Sequence, residues 1–464
     1  MTFEQFYQKC KSIADQLVKE KRLTVVGHYD ADGLASTAIL VKALRRAGVE
    51  TDFINTRQID SDHISEVNGF DHPIVFVDMG SGQIELLEKE IKGKFYIVDH
   101  HPPVKETSNQ VNPFHYGIDG TRELSATGVA YFVAKAMDEK NMDLSQVGVL
   151  GAVGDMQDMH GGLKGANRRI IEDAERMGLL NAHKNLTLFG RQSRPLPKML
   201  EYCSYPMLPG LTGNYIACLK FIEQLGIDVR DPQTGKPRHY VELDHEERQK
   251  LTTALHMLLV DHNAPNLVTD MLIGEIYEFL KEKPKTELRD AKEFATVLNA
   301  CGRHEEGEVG VAVCMGDREE AWPKAKSLLK KHRKELREGL EWVKYSGVKE
   351  MDNIYYFDAS GVIRETLVGV IAGMIYGSMD VKTDKPIVAF GLTDEGEMKI
   401  SARGNYDLVR KGLKLGDALS EATTPLGGEG GGHNVAAGAK VPPEKKDEFL
   451  ERMDEIVGKQ LGKG

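Results

Sequence analysis

Long apolar runs are missing from this sequence, and no stretch approaches the roughly 20 residues that a membrane-spanning helix needs. The first twenty residues also lack an apolar core and carry Glu4 and Asp15, so they predict an amphipathic helix and not a signal peptide. Cysteine is scarce too. The five cysteines lie far apart without a CxxC pair, which predicts reduced, mainly structural thiols in a cytoplasmic protein.

An excess of positive charge is also lacking, since the net charge is -11 at pH 7. This value argues against a protein that coats DNA indiscriminately. It does not exclude a nuclease, because metal-binding carboxylates lower the total charge while one groove stays positive. With 41% hydrophobic and 28% charged residues over 464 positions, the composition is typical of a globular protein of two or three domains.

Short β-rich runs alternate with helical stretches in the first 190 residues. The runs LTVVGHYD, TDFINTRQ, PIVFVDMG and KFYIVDHH are the strand candidates. Apolar strands that end in polar loops, with helices between them, indicate a parallel α/β sheet. Ligands of such sheets bind beyond the carboxyl ends of the strands.

The rest of the chain divides into two further parts. Residues 191–346 read as a mainly helical insertion followed by a long connecting helix, with a short strand at VGVAVCM. Residues 347–464 read as a second α/β domain with strands NIYYFDA, PIVAFGL and MKISARG, and then a loop PLGGEGGGHNVAAG before a terminal helix.

Four motifs carry acidic and histidine residues at predicted strand ends. Taken singly, they have ordinary explanations: Asp30 is suited to cap a helix, and Asp78 to form a turn. Four strand ends of one sheet, however, would bring these groups to one face, where like charges are costly unless cations neutralise them. Two divalent metal ions would do so. The motifs are His28–Gly33, Val77–Gly80, Asp99–His101 and Gly151–Asp155.

The sequences HYDADG, VDMG, VDHH and GAVGD resemble the four motifs of the DHH phosphoesterases, most closely the RecJ branch. The C-terminal GGEGGGHNVAAGA resembles the Gly-Gly-Gly-His signature of the DHHA1 domain, and LRDAKEFATVLNACGR before a long helix resembles archaeal RecJ-like proteins, including the GINS-associated nuclease. One departure concerns the pyrophosphatase members, which have a metal-binding histidine four residues before the first aspartate. Val26 stands at that position here, and the role of His28 is left open.

The resemblance implies an N-terminal DHH catalytic domain, the helical insertion and a C-terminal DHHA1 domain that binds substrate. It implies a role for His101 at the substrate, with Asp99 orienting a histidine, and Asp78 as the ligand that bridges two metals. Mixed carboxylate and imidazole ligands suit manganese, with magnesium or zinc as alternatives. The implied metal ligands are Asp30, Asp32, Asp78, His100 and Asp155.

Substrate binding is expected in the C-terminal domain. Ser401 and Arg403 resemble the family's substrate-binding strand, and the backbone of Gly430, Gly431, Gly432 and His433 is suited to an anion-binding nest.

Two weaker features each keep two interpretations. Ser125 opens a helix as an ordinary N-cap or as part of a phosphate site. The basic residues between Arg191 and Lys198, near Tyr202 and Tyr205, fit a single-strand groove or a packed connector.

The resemblance implies a metal-dependent exonuclease that degrades single-stranded DNA from 5′ to 3′ in replication or repair, with RNA as an alternative substrate and GINS as the expected partner. Two other hypotheses remain: a nanoRNase or small-nucleotide phosphatase, and a GINS-binding replication scaffold.

Overall fold

The computed structural model describes residues 2–57, 59, 61–159, 161–203, 206–262, 266–376, 382–393 and 395–462. The chain forms two compact units, Met1–Leu329 and Lys330–Gly464.

The first unit contains, in chain order, α1 (Phe3–Leu17), β1 (Arg22–His28), α2 (Ala31–Arg46), β2 (Glu50–Thr56), α3 (Ser61–Val67), β3 (Ile74–Val77), α4 (Ile84–Glu90), β4 (Phe95–Val98), β5 (Gln110–Val111), α5 (Ala126–Met137), α6 (Ser145–Gly154), α7 (Asn167–Arg176), β6 (Leu180–Leu186), α8 (Leu196–Glu201), α9 (Tyr215–Gln224), α10 (His245–Asp261), α11 (Asn266–Asp270), β7 (Ile273–Phe279), α12 (Ala291–Arg303) and α13 (Gly307–Met315). The long helix α14 (Ala321–Ser346) comes next. The second unit continues with β8 (Lys349–Glu350), β9 (Tyr355–Asp358), α15 (Glu365–Tyr376), β10 (Ile387–Leu392), β11 (Met398–Arg403), α16 (Tyr406–Arg410), α17 (Leu415–Thr423), β12 (Glu429–Gly432), β13 (Ala436–Val441) and α18 (Lys446–Gln460).

A five-stranded parallel sheet with the order β2-β1-β3-β4-β5 forms the centre of the first unit. Strands β3 and β4 are buried along their whole length, as expected when helices cover both faces of a parallel sheet. The predicted parallel α/β fold of the N-terminal part is therefore confirmed. Gln58, the last residue of the second predicted strand, lies outside the described residues.

Two apolar runs that were predicted to be strands, or to follow one, are helical. The fourth motif forms the last turn and C-cap of α6 and does not end a strand, and the run VGVAVCM belongs to α13. Both helices are rich in small residues, and a Cβ at Gly310 would come within 2.8 Å of the Leu34 side chain on α2. The valines in these two runs favour a strand, but the glycines between them allow the helices to pack closely against their neighbours.

A helical subdomain is inserted between β6 and β7, which pair antiparallel over their full length. Helices α8, α9 and α10 contribute to a separate apolar core that includes Leu200, Ile222 and Leu251. The mainly helical insertion is confirmed.

The second unit is built on a six-stranded mixed sheet with the order β12-β13-β11-β10-β9-β8. The prediction of a loop through the glycine-rich segment is wrong, because Glu429–Gly432 form the edge strand β12, paired antiparallel with β13. Glycine is needed in this strand for packing. A Cβ at Gly430 would come within 2.9 Å of the Leu419 carbonyl group on α17.

All five cysteines are buried and none forms a disulfide, as the sequence predicts. None of the described helices combines the length and the apolar character needed to span a lipid bilayer.

Candidate metal centre

The first motif lies where β1 ends and α2 begins. Asp30 caps α2, since its Oδ1 accepts a hydrogen bond from the Gly33 amide at 3.0 Å. Its Oδ2 lies 3.0 Å from Nδ1 of His28. The capping and the metal-binding interpretations of Asp30 are therefore compatible, because each uses a different oxygen. Gly33 is needed for the tight turn, since a Cβ there would lie 2.4 Å from the His28 carbonyl oxygen.

Asp32 is buried in the first turn of α2 and is held by the N-terminus of α5. The Ala126 amide donates to its Oδ2 at 2.9 Å, and the Thr127 amide donates to its Oδ1 at 3.0 Å. The Thr127 hydroxyl also donates to Oδ1. Ser125 caps the same helix by accepting from the Gly128 amide. The N-cap interpretation of Ser125 is thus confirmed, and the first amides of α5 bind a carboxylate of the protein itself.

Asp78 follows β3 in a left-handed backbone conformation, with φ of 61°. Such a conformation is uncommon for a residue other than glycine, and it turns the carboxylate out of the strand direction. The side chain is buried. Its Oδ1 accepts no hydrogen bond of good geometry from any described residue.

Asp99, His100 and His101 follow β4. The Oδ1 of Asp99 accepts from Nδ1 of His101 at 2.9 Å, and its Oδ2 accepts from the Ser81 amide at 2.9 Å. His100 Nδ1 lies 2.7 Å from the Gly120 carbonyl oxygen and donates to it, which leaves Nε2 directed at the carboxylates. Asp99 therefore lies where it can orient His101.

Asp155 is the C-cap of α6 and not the end of a strand, but it reaches the same place. Its Oδ2 accepts from Nε2 of Gln157 at 2.9 Å and lies 3.9 Å from Nδ1 of His100. The parallel sheet and the C-terminus of α6 therefore converge on one point.

All five predicted metal ligands come together in three overlapping groups, each with its ligand atoms within 4.8 Å of one another. Asp78 and His100 connect the groups: His100 Nε2 is 3.3 Å from Asp78 Oδ1 and 3.7 Å from Asp32 Oδ2. His28, whose role the sequence left open, joins through Asp30 and lies 3.5 Å from Asp78 Oδ2. The groups are Asp78 with Asp99, His100 and His101; His28 with Asp30 and Asp78; and Asp32 with His100 and Asp155.

The electrostatics of the cluster show an excess of negative charge. Burial, and then the charge of Asp78, raises the pKa of Asp32 to about 7. Burial alone would lower the pKa of His100, but Asp78, Asp155 and Asp32 raise it well above its usual range. The cluster therefore retains protons that a divalent cation would displace on binding.

The donor set fits divalent cations. Carboxylate oxygens with one or two imidazole nitrogens suit manganese, and magnesium shares the preference for oxygen. The buried Asp78 Oδ1 lies 3.3 Å from Nε2 of His100 but accepts no hydrogen bond of good geometry from a described residue, so a bound cation would give it the partner that this geometry does not. Asp30, Asp32, Asp78, His100 and Asp155 would hold the ions.

The predicted substrate residues lie in the second unit. Ser401 is buried on β11, opposite Ala389 of β10 and Gly438 of β13. Arg403 ends the same strand, and Gly369 of α15 leaves room for it, since a Cβ there would lie 2.7 Å from Nη2 of Arg403.

Gly430, Gly431 and Gly432 form the edge strand, and the exposed His433 begins the turn into β13. The His433 amide donates to the Ala436 carbonyl oxygen at 2.9 Å, and Arg403 pairs with Ala436 across the sheet. Arg403 and His433 thus lie at the same end of this sheet.

Sequence reasoning missed Thr127 and Gln157, which hold Asp32 and Asp155 in place. Thr127 contacts Asp32 across 95 positions of sequence, and Gln157 is oriented towards Asp155 by its own hydrogen bonds to Gly120 and Asn167, so the sequence gives no signal for either role.

The structure also gives the contacts of the basic segment Arg191–Lys198, which runs into α8. Arg191 is buried in an ion pair with Asp290, which favours the packed connector at that residue. Arg194 and Lys198 lie over the ring of the half-exposed Tyr202. Tyr205 lies outside the described residues.

Three family models match the chain in order: the DHH family, N-terminal domain, over residues 22–153; the DHH-CID domain over residues 188–273; and the DHHA1 domain over residues 362–459. The first region contains every member of the metal cluster except Asp155, the second contains the helical insertion, and the third contains strands β10 to β13 of the mixed sheet.

Similar proteins extend over almost the whole chain. An uncharacterized protein of Methanocaldococcus jannaschii is 34% identical, covering 98% of this chain and 99% of the relative. CDC45 from Entamoeba histolytica shares the fold with a TM-score of 0.65 at 14% identity, over 98% of each chain. RecJ from Thermus thermophilus, solved with Mn²⁺, has a TM-score of 0.59 at 16% identity and covers 97% of this chain and 55% of that one. On the three matched models and the full-length relative, the chain belongs to the RecJ-like DHH family.

Proposed function

We propose that this protein is a divalent-metal-dependent exonuclease that hydrolyses single-stranded DNA from 5′ to 3′ with two metal ions. The observation that carries the proposal is the convergence of Asp30, Asp32, Asp78, His100 and Asp155 on one cluster. Manganese is the proposed metal. The RecJ structure solved with Mn²⁺ supports this choice through its shared fold.

Phosphodiester hydrolysis places additional negative charge on the attacking and leaving oxygens. Two divalent ions about 4 Å apart, when bound, stabilise both oxygens and supply a hydroxide near neutral pH. The protein side chains hold those ions and the substrate. Asp99 orients His101 by accepting from its Nδ1, and Nε2 of His101 is the atom proposed to meet the phosphate.

His101 is suited to donate to a phosphate oxygen or to a leaving group. Burial lowers its pKa, but the charge of Asp99 outweighs this and raises the pKa to about 9. Before any metal ion binds, the carboxylate of Asp99 therefore favours the protonated imidazole, and the His101 side chain is 39% exposed. In the second unit, Ser401, Arg403 and the Gly430–His433 segment are proposed to hold the nucleic-acid backbone.

Digestion of end-labelled single strands tests the reaction, its direction and its cofactor in one assay. We expect mononucleotide release from the 5′ end of DNA with Mn²⁺, weaker release with Mg²⁺, and none with EDTA. An RNA strand and a dinucleotide in parallel reactions test the alternative substrates. Preferred cleavage of the dinucleotide over the long strand would favour the nanoRNase or small-nucleotide phosphatase.

A variant pair ties the reaction to the cluster. Asp78→Asn should abolish cleavage, because it removes the charge of the ligand that connects the groups. Asp52→Asn changes an exposed carboxylate on β2 and should leave turnover intact. Equal cleavage by wild type and Asp78→Asn would refute the proposed centre.

A second function, docking to GINS in replication, is favoured by the fold shared with CDC45 over 98% of both chains. It is compatible with catalysis, since this chain keeps every metal-ligand residue. A pull-down with purified GINS tests the partner, and the DHH-CID region is the proposed docking surface. Lack of retention at micromolar concentrations would contradict it.

A further inference from the structure

The last turns of helix α12 contact the loop that carries Asp30 and Asp32. The Asn299 side-chain oxygen accepts a hydrogen bond from the Ala31 amide at 2.9 Å, although the two residues are 268 positions apart. Ala31 is buried and lies between the two aspartates.

Two neighbouring residues on α12 reinforce the contact. Gly302 allows α12 to approach the loop, since a Cβ at this position would lie 1.7 Å from the Tyr29 carbonyl oxygen. Arg303 Nη1 donates to the Tyr29 hydroxyl at 2.6 Å, and its guanidinium lies over the Tyr29 ring at 5.1 Å. The helix therefore follows the loop closely from Tyr29 to Ala31.

The Ala31 amide is one of the first amides of α2, which have no acceptor inside their own helix. The Asp30 carboxylate accepts from the Gly33 amide, so it does not satisfy the Ala31 amide. Asn299 supplies the acceptor for Ala31 and fixes the peptide between Asp30 and Asp32. Without it, a buried donor would be left unpaired and the two carboxylates would lose a common anchor.

We propose that Asn299 is a positioning residue for the metal centre, acting through the Ala31 amide to set the spacing of the Asp30 and Asp32 carboxylates. This role rests on one part of the proposed function, the binding of divalent cations by the cluster. It requires neither cleavage nor a nucleic-acid substrate.

The test is a calorimetric titration of the metal-stripped, full-length protein with Mn²⁺ alone, at one pH. We expect Asn299→Ala to weaken Mn²⁺ binding by about tenfold or more, the usual effect of removing a group that orients metal ligands. Asn299→Asp keeps an acceptor for the Ala31 amide and should restore most of the affinity. Thr296→Ala is the matched control and should bind like wild type, because the Thr296 hydroxyl donates to the Lys292 carbonyl oxygen of the same helix.

The outcomes separate this inference from the proposed function. Equal Mn²⁺ affinity in wild type and Asn299→Ala overturns the positioning role and leaves the nuclease proposal standing. Mn²⁺ binding by wild type without cleavage of any strand overturns the nuclease proposal alone. A wild-type protein that binds no Mn²⁺ overturns both.

A second measurement uses only the wild-type protein, in case Asn299→Ala does not fold. Hydrogen exchange of the metal-stripped protein should show the Ala31 amide protected, because Asn299 holds it before any ion binds. Rapid exchange of that amide in the folded protein would also overturn the proposal.

Discussion

Thr127 and Asp32 are 95 residues apart in the sequence, yet the hydroxyl and the amide of Thr127 both donate to the Asp32 carboxylate. The same hydroxyl contacts the close-packed Gly151, where a Cβ would lie 1.9 Å from it. A predicted metal ligand thus depends on neighbours that carry no metal-binding chemistry. At the scale of the residue, the centre is as much a hydrogen-bond network as a set of ligands.

Replacing Thr127 by valine keeps the shape of the side chain and removes the hydroxyl. We expect Thr127→Val to lose about 1–3 kcal/mol of unfolding free energy, because the buried Asp32 loses a donor, and to require more Mn²⁺ for half-maximal cleavage. Thr127→Ser keeps the hydroxyl and should retain the wild-type Mn²⁺ requirement. Chemical denaturation and a Mn²⁺ activation curve measure the two effects. An unchanged curve for the valine variant would show that Asp32 does not need this hydroxyl.

The sequence predicted which residues would cluster, because acidic and histidine residues concentrate in four short motifs. It did not predict Thr127, Gln157 or Asn299. Thr127 and Asn299 act through hydrogen bonds to distant segments, and the contact of Gln157 with Asp155 depends on the turn that follows α6, so a single sequence contains no signal for these roles. His28 stayed open for a related reason, since its distance from Asp78 depends on how β1 and β3 pair.

Helix α12 links two parts of the first unit. Its C-terminal turn holds the Asp30 loop, and its N-terminal turn holds the start of the inserted subdomain. There, Asp290 pairs with Arg191, and Glu293 accepts from the amides of Gln192 and Ser193. One rigid element of 13 residues therefore connects the insertion to the metal centre.

The buried Glu293 at this junction should make stability depend on pH. Burial, and then the charge of Asp290, raises its pKa to about 7. The unfolded chain has a glutamate pKa of about 4.3, so between these values the folded protein binds more protons. The stability that Glu293 contributes is therefore full at low pH, falls as the pH rises towards 7 and is constant above it.

We expect Glu293→Gln to remove this fall, so that the variant gains stability relative to wild type between pH 5 and pH 8. Urea unfolding at both pH values measures the difference. Glu246→Gln, at an exposed glutamate on α10, is the control and should follow the wild-type dependence. Parallel curves for Glu293→Gln and wild type would show that Glu293 is ionised throughout this range.

Elements were predictable where composition and length agreed. The strands before Asp30, Asp78 and Asp99 are apolar, β-branched and short, and all three form. The runs GAVGD and VGVAVCM are equally apolar, and periodicity alone cannot distinguish a buried helix from a buried strand over so few residues. For the run GGEGGG the prediction was wrong in the opposite sense, because glycine predicts a loop. The segment forms a strand because pairing with β13 and packing on α17 require only its backbone.

The whole molecule carries a net charge of -11, although its proposed substrate is a polyanion. Part of that charge belongs to the carboxylates of the metal cluster, which cations neutralise. Arg403 lies in the other unit, at the end of β11. We therefore propose that the first unit carries out the hydrolysis and that the second unit binds the backbone of the nucleic acid.

Arg403→Ala should weaken single-strand binding and reduce the slope of log affinity against log salt concentration by about one, because one phosphate contact is lost. Cleavage of a dinucleotide should change much less. Arg410→Ala is the control, since Arg410 is exposed and pairs with Asp407 on α16. Fluorescence anisotropy of a labelled oligonucleotide across salt concentrations measures both variants. Identical slopes for Arg403→Ala and wild type would remove Arg403 from the proposed substrate site.

The left-handed backbone of Asp78 has a consequence for how such a protein changes over evolutionary time. A side chain at φ of 61° costs roughly 1–2 kcal/mol that glycine would not incur. Asp78 also lies 3.3 Å from Nε2 of His100 and 3.5 Å from Nδ1 of His28, so glycine at position 78 would leave both imidazoles without this anionic partner. The backbone at this residue favours glycine and the neighbouring imidazoles favour aspartate, so charge opposes the loss of Asp78 even in a descendant that no longer needs its chemistry.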